Sequence, residues 1–99
     1  MLTVHKFQIY SASFGACERT KAAIRVPSEA KTLKVDEQYG NICVWMLVDT
    51  DNAPETRTFQ LFGTGHEIPV DAASGFVHVG SVMLFSGRLV LHVFEQISC

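Results

Sequence analysis

The chain has 99 residues, enough for one domain but too few for two with separate cores. Its hydrophobic fraction of 47% excludes a disordered tail, and its formal charge of -2 excludes a strongly acidic or basic arm. We therefore expect a single soluble domain over residues 1–99.

The N-terminal residues do not resemble a targeting signal. Residues 1–7 alternate apolar and polar side chains and lack the apolar core of a signal peptide. The longest apolar run, residues 42–48, is much shorter than a membrane span. The cysteines are odd in number and widely spaced, which argues against a secreted disulfide framework: Cys17, Cys43 and Cys99. We expect a cytoplasmic protein.

In chain order, a period of two predicts the first strands at residues 3–10, 22–26 and 32–36. Small residues between the first two of these strands predict a loop at residues 11–20. A turn at residues 39–41 then leads into the apolar run at 42–48. Because that run is apolar at every position, we expect a central strand that is covered on both faces and anchored by Trp45.

The second half continues with a strand at residues 56–62 and two irregular stretches, with at most one helical turn at 71–74. Residues 76–85 and 88–94 form the clearest hairpin, which turns at Ser86 and Gly87. About seven short antiparallel strands favour an all-β fold, either a β-sandwich or a partly open barrel.

The chain has four histidines and three cysteines, which are residue types that bind metals. Neither a Cys-x-x-Cys nor a His-x-x-x-His spacing occurs. A two-residue turn makes Phe85 oppose Arg88, which directs His78 and His92 to opposite faces of the hairpin unless a bulge reverses one of them. We expect no metal and no other cofactor.

Catalytic and phosphate-binding motifs are weak. The segment from Gly63 to Gly65 lacks the third glycine of a dinucleotide fingerprint, and the Ser-x-x-Lys match beginning at Ser28 lacks its companion motifs. A hydrolase needs a nucleophile, a base and an orienting acid held together. No spacing assembles the available candidates, which are His66, Asp71, His92 and Glu95.

Most of the positive charge lies in one stretch of the chain: Arg19, Lys21, Arg25, Lys31 and Lys34. These cations could contact phosphates or an acidic partner, or form the solvated face of two strands. No aromatic residue interrupts the stretch, so we do not expect a nucleic-acid stacking platform. We expect most aromatic residues in the core. The exceptions are Tyr39, in a turn, and Phe62, on the polar face of its strand.

A few polar residues lack an obvious structural role. Arg57 shares the face of Phe59 and Leu61 and is expected at the edge of the core. His92 lies between two apolar residues, where a half-buried histidine with a hydrogen-bond partner is the structural alternative to a site. The candidate binding residues are Arg57, Thr64, Gly65, His66 and His92. Exposed edge strands in so small a chain also favour a homodimer.

Several segments resemble a family of small uncharacterised bacteriophage proteins. The resemblance is firm from Trp45 onward and patchy before it, and its most specific parts are the Gly-Thr-Gly-His and His-Val-Phe-Glu stretches. It rests on residues 45–49, 57–59, 62–68 and 91–95, with weaker matches at 5–7 and 26–35. Residues 11–20 form a longer loop than is usual there, and Leu91 stands where an aromatic residue is expected.

This resemblance implies a phage gene product in the host-cell cytoplasm and transfers no activity. Small non-virion phage proteins often act by binding a host or defence component. We therefore expect a non-enzymatic binding protein whose partner is a host or defence protein or a signalling nucleotide. A virion accessory or assembly protein is the alternative, and a small hydrolase is a third.

Overall fold

A computed structural model of the chain describes residues 1–11, 19–65, 67–68 and 75–96. Within these ranges the fold is all-β, as predicted, and each of the seven predicted strands has a counterpart. The strands are β1 (Leu2–Ser11), β2 (Arg19–Pro27), β3 (Lys31–Gln38), β4 (Asn41–Asp49), β5 (Pro54–Gly63), β6 (Phe76–Leu84) and β7 (Leu89–Gln96). In the described ranges no helix is long and apolar enough to cross a membrane.

Two open antiparallel sheets form a sandwich and do not close into a barrel. One sheet has the strand order β1-β4-β3, and the other has the order β2-β5-β7-β6. Alternate side chains of both sheets point into a shared core, as expected for strands with a period of two. The fully buried side chains of this core include Ile42, Val44, Met46, Val48, Phe59, Leu61, Leu91 and Val93.

The central position of β4 confirms the prediction for residues 42–48, but its second face is only partly covered. On the face away from the core, Cys43 is buried whereas Trp45 and Leu47 remain partly exposed. Trp45 is therefore not a core anchor, and Lys34 Nζ lies 5.6 Å from its ring centroid. Burial raises the pKa of the Cys43 thiol and Glu37 adds to the rise, while Lys6 acts in the opposite direction.

The predicted turn at Ser86 and Gly87 is a longer connection, since β6 ends at Leu84 and β7 begins at Leu89. Phe85, Ser86 and Gly87 all have positive φ, and the Gly87 amide donates to the Leu84 carbonyl at 3.1 Å. The register nevertheless agrees with the prediction next to the turn, where Val82 pairs with Leu91. Strand pairing, rather than a two-residue loop, sets this register.

A β-bulge at Val79 reverses the alternation further along β6. Gly80 pairs with Val93, but His78 pairs with Phe94, so Val79 has no partner of its own. The bulge directs His78 to the face that carries His92. The opposite orientation predicted for these two histidines is therefore wrong, because that prediction assumed an unbroken ladder.

Two other predictions concern residues at or beyond the ends of the described ranges. The loop predicted at residues 11–20 is shorter at both ends, because Ser11 belongs to β1 and β2 begins at Arg19. The remaining residues of that loop, with Cys17, lie outside the described residues, as do the helical turn at 71–74 and Cys99.

Gly80 is where the two sheets approach each other closely. A Cβ atom added at this position would overlap Cγ1 of Val35 in β3. Since Val35 is β-branched and has few rotamers, it has little freedom to move aside. Only a residue without a side chain fits here without a shift of one sheet.

We expect Gly80→Ala to lower the free energy of unfolding by about 1–3 kcal/mol through overpacking. In a Val35→Ala background the same substitution should be less harmful, by about 1 kcal/mol, because the clashing methyl group is gone. Urea unfolding followed by Trp45 fluorescence measures both effects. Additive effects of the two substitutions would show that Gly80 and Val35 are not in contact.

Candidate functional site

The candidate site lies on the face of the β2-β5-β7-β6 sheet that points away from the core, called here the outward face. Its members are fixed by strand register, because side chains directly opposite each other share a face. In one row across the sheet, Phe62 of β5 pairs with His92 of β7, which pairs with Ser81 of β6. This row brings a histidine between an aromatic ring and a hydroxyl.

The next row lies beside it and crosses all four strands. Gln60 of β5 pairs with Lys21 of β2 on one side and with Phe94 of β7 on the other. Phe94 in turn pairs with His78 of β6, which reaches this face because of the bulge at Val79. The two rows together combine a cation, an amide, two aromatic rings, two imidazoles and a hydroxyl.

A continuous chain of hydrogen bonds joins Thr64 to three of these side chains. Thr64 Oγ1 is 2.7 Å from His92 Nε2, and Ser81 Oγ is 2.8 Å from His92 Nδ1. His78 Nε2 is 3.1 Å from the same Ser81 oxygen. With neutral imidazoles, the bonds can all run from Thr64 to His78 or all in reverse. The chain can thus present either donors or acceptors to a ligand.

Aromatic rings pack beside this chain. The Phe94 ring lies edge-on to Phe62, at a centroid distance of 5.8 Å, and to His78, at 5.3 Å. Such edge-to-face contacts favour a defined orientation of each ring. Phe62 is 1% exposed although it points away from the core, whereas Phe94 stays partly accessible.

Gln60 carries an unsatisfied polar atom in this face. The residue is 9% exposed, and its Oε1 atom is buried without a hydrogen-bond partner among the described residues. An unpaired buried acceptor costs about 1–3 kcal/mol relative to a paired one. A donor supplied from outside the described residues would remove this cost.

The charge of the outward face is one-sided. None of the outward side chains that the structure describes in β2, β5, β6 and β7 is acidic. Two cations of β2, Lys21 and Arg25, are exposed there. The acidic residues of these strands are Glu55 and Glu95. Both lie at positions that alternate with the outward ones, so they face the inner side of the sheet.

Arg57 is confirmed on the face of Phe59 and Leu61, where it joins the two sheets. Its Nε donates to Oε2 of Glu95 at 2.6 Å, and its Nη1 donates to the Ala30 carbonyl at 2.7 Å. The other oxygen of this carboxylate, Oε1, accepts from the Thr32 hydroxyl of β3 at 2.8 Å. Arg57 thus lies at the edge of the core, held by ionic and hydrogen bonds.

The predicted site residues are only partly brought together. Thr64 and His92 are in direct contact, and Gly65 forms the adjacent corner, with a φ of +85° and open space where a side chain would begin. Arg57 is on the other face of the same sheet and shares no surface with them. His66 lies outside the described residues.

Sequence reasoning missed Gln60, His78, Ser81 and Phe94 as members of this site. In the sequence, Gln60 and Phe94 are indistinguishable from ordinary alternating strand positions. A signal for His78 exists, because a glycine inside a strand often marks a bulge, and Gly80 is such a residue. A bulge placed there predicts that His78, Ser81 and His92 share a face.

Catalysis by His92 lacks its usual support among the described residues. A general base is normally oriented by a carboxylate, but both nitrogens of His92 contact hydroxyl groups. The nearby carboxylate of Glu95 is on the opposite face and binds Arg57. The described residues also hold no group of three histidine, cysteine, aspartate or glutamate side chains arranged to bind a metal.

Comparison with known proteins assigns the chain to a family. Residues 1–98 match the family described as Domain of unknown function (DUF7352). The chain belongs to this family. No curated protein and no solved structure matches it significantly. The function of this DUF7352 domain is therefore argued from the geometry of its outward face.

Because Arg57 and Glu95 are largely buried, we expect Arg57→Ala to lower the free energy of unfolding by about 3 kcal/mol, through the unpaired carboxylate left behind. Arg25→Ala, which removes an exposed arginine, should change it by less than about 0.5 kcal/mol. Urea unfolding compares the two.

Arg57→Met combined with Glu95→Leu supplies a second test, since it removes both charges and should be less harmful than Arg57→Ala. Equal stability of wild type and Arg57→Ala would contradict the role of the ion pair in joining the sheets.

Proposed function

We propose that this protein is a non-enzymatic, phage-encoded binding protein that acts on a host or defence component during infection. The observation that carries the proposal is the hydrogen-bonded chain of Thr64, His92, Ser81 and His78 on a sheet face whose described residues include no acidic side chain. These groups can recognise a ligand in a fixed orientation. They lack the carboxylate partner that a histidine base normally uses.

The rigidity of the face supports binding. The groups stand on paired strands of one sheet, so their positions are held by the backbone ladder and by the core behind it. Ring contacts of Phe94 restrain the aromatic part in the same way. A surface ordered before the ligand arrives loses less conformational entropy on binding.

The phage part of the proposal rests on the resemblance to small bacteriophage proteins. Its two most specific stretches are residues 63–66, which begin at the last residue of β5, and residues 92–95, which lie in β7. They meet at the contact between Thr64 and His92. These two stretches therefore each contribute a side chain, Thr64 and His92, to the hydrogen-bonded chain of the outward face.

Native mass spectrometry of tagged protein recovered from infected host cells tests the proposal. We expect wild type to carry the added mass of a partner or small ligand. The double variant Ser81→Ala/His92→Ala should lose at least about tenfold in affinity, since two hydrogen bonds of about 1 kcal/mol each are removed. The same experiment counts subunits and so tests the homodimer that the edge strands favour.

The matched control is His5→Ala, which removes an exposed histidine from β1 of the other sheet and should retain full occupancy. Equal occupancy in wild type and double variant would contradict the site, and absence of any added mass would contradict the binding role. Recovery confined to intact virions would establish the accessory or assembly role instead.

A further inference from the structure

We infer that the ligand of the outward face is a small phosphate-bearing nucleotide, with its phosphate at the β2 edge and its base over Gln60, His92 and Phe94. This inference rests on the proposed function and names the chemistry of its ligand. Four properties of the face carry it: its charge, an unsatisfied acceptor, its width and its limited aromatic surface.

Charge favours an anion. The whole chain has a formal charge of -2, yet the described outward positions of the four strands carry no acidic residue. Lys21 and Arg25 lie on the same face of β2, about 13 Å apart along the strand, and both are exposed, so a ligand at this edge lies in the field of both charges. An acidic ligand is attracted to this edge, whereas a basic one meets only like charges.

The unsatisfied acceptor favours a ligand with N–H donors. Gln60 Oε1 is buried without a partner among the described residues, one strand away from Lys21. The amino and imino groups of a nucleobase are donors of the kind this oxygen lacks. Inorganic phosphate offers only its own hydroxyl group and has no planar part that would reach His92 and Phe94.

The spacing of the strands suits a ligand with an anionic end and a planar end. Neighbouring strands are about 4.8 Å apart, so Lys21 on β2 and Phe94 on β7 are separated by roughly 10 Å across the sheet. A nucleotide lying across the strands can place its phosphate near Lys21 while its base reaches Phe94 and His92. The hydroxyl and imidazole groups of β6, the strand beyond β7, can then contact the edge of the base or the sugar.

The limited aromatic surface favours a small nucleotide over a polymer. Single-stranded nucleic acids bind where several exposed rings stack successive bases along a cationic groove. Here Phe62 is buried, Phe76 and Phe94 are partly exposed, and the exposed cations Lys21 and Arg25 belong to one edge strand. The cations thus lie along one edge and do not form a groove beside the rings, an arrangement that suits a short ligand better than a polymer.

Gln60→Leu provides the sharpest test, because a ligand role and a structural role predict different results. If Oε1 is unpaired until a ligand binds, the leucine variant lacks an unsatisfied buried acceptor. Its melting temperature should then be unchanged or raised. The same variant should bind nucleotide about tenfold more weakly. A lowered melting temperature would show that the amide has a structural partner and would overturn the inference.

Isothermal titration calorimetry of the full chain should use AMP, GMP, cyclic di-GMP, inorganic phosphate and a single-stranded RNA of about twelve nucleotides, within the site size of one small binding domain. We expect at least one of the three nucleotides to bind more tightly than phosphate and than the RNA. Lys21→Ala/Arg25→Ala should weaken that binding by about tenfold or more. The matched control, Lys31→Ala/Lys34→Ala, removes the same charge from the other sheet and should not weaken it.

Other outcomes separate this inference from the proposed function. Equal affinity for phosphate and nucleotides would overturn the role of the base, and tighter binding of the RNA would overturn the choice of a small ligand. If no probe binds but a protein partner is captured through Ser81 and His92, the nucleotide inference fails and the binding function stands. If neither occurs, both fail.

Discussion

The ion pair between Arg57 and Glu95 is the interaction on which the two faces of the larger sheet depend. It places a carboxylate of β7 on the inner side of the sheet, where it also accepts from Thr32 of the opposite sheet. Since side chains alternate along a strand, this orientation of Glu95 directs His92 and Phe94 outward. The same arrangement that joins the sheets therefore leaves the outward face without an acid from β7.

The inner and outer sides of the larger sheet differ in the chemistry of their side chains. On the inner side, next to the apolar core, Arg57 pairs with Glu95 and Glu55 and donates to the Ala30 carbonyl, as a largely buried charge requires. On the outer side, hydroxyl and imidazole groups contact one another, and Gln60 keeps an unpaired acceptor among the described residues. A ligand with N–H donors, as proposed above, would satisfy the Gln60 acceptor.

The sequence predicts the strands well because their signal is local. A period of two specifies most of them, and the central position of β4 follows from its unbroken apolar run. The site is predictable only in part, because its assembly depends on pairing between distant strands. Thr64 and His92 are separate candidates in the sequence and meet in space, whereas Arg57 faces the other way. The bulge at Val79 decides the orientation of His78, and no period within β6 alone reveals how its partner strand is paired.

The measurement that tests the central claim most directly is a two-dimensional NMR titration of the isotope-labelled chain with the nucleotide that binds most tightly. We expect saturable shift changes at Gln60, Ser81 and Phe94 and at the imidazole nitrogens of His92, with none along β3. Changes confined to β3 and β4, or to the turn between β6 and β7, would place the ligand elsewhere. That result would contradict a binding role for the outward face.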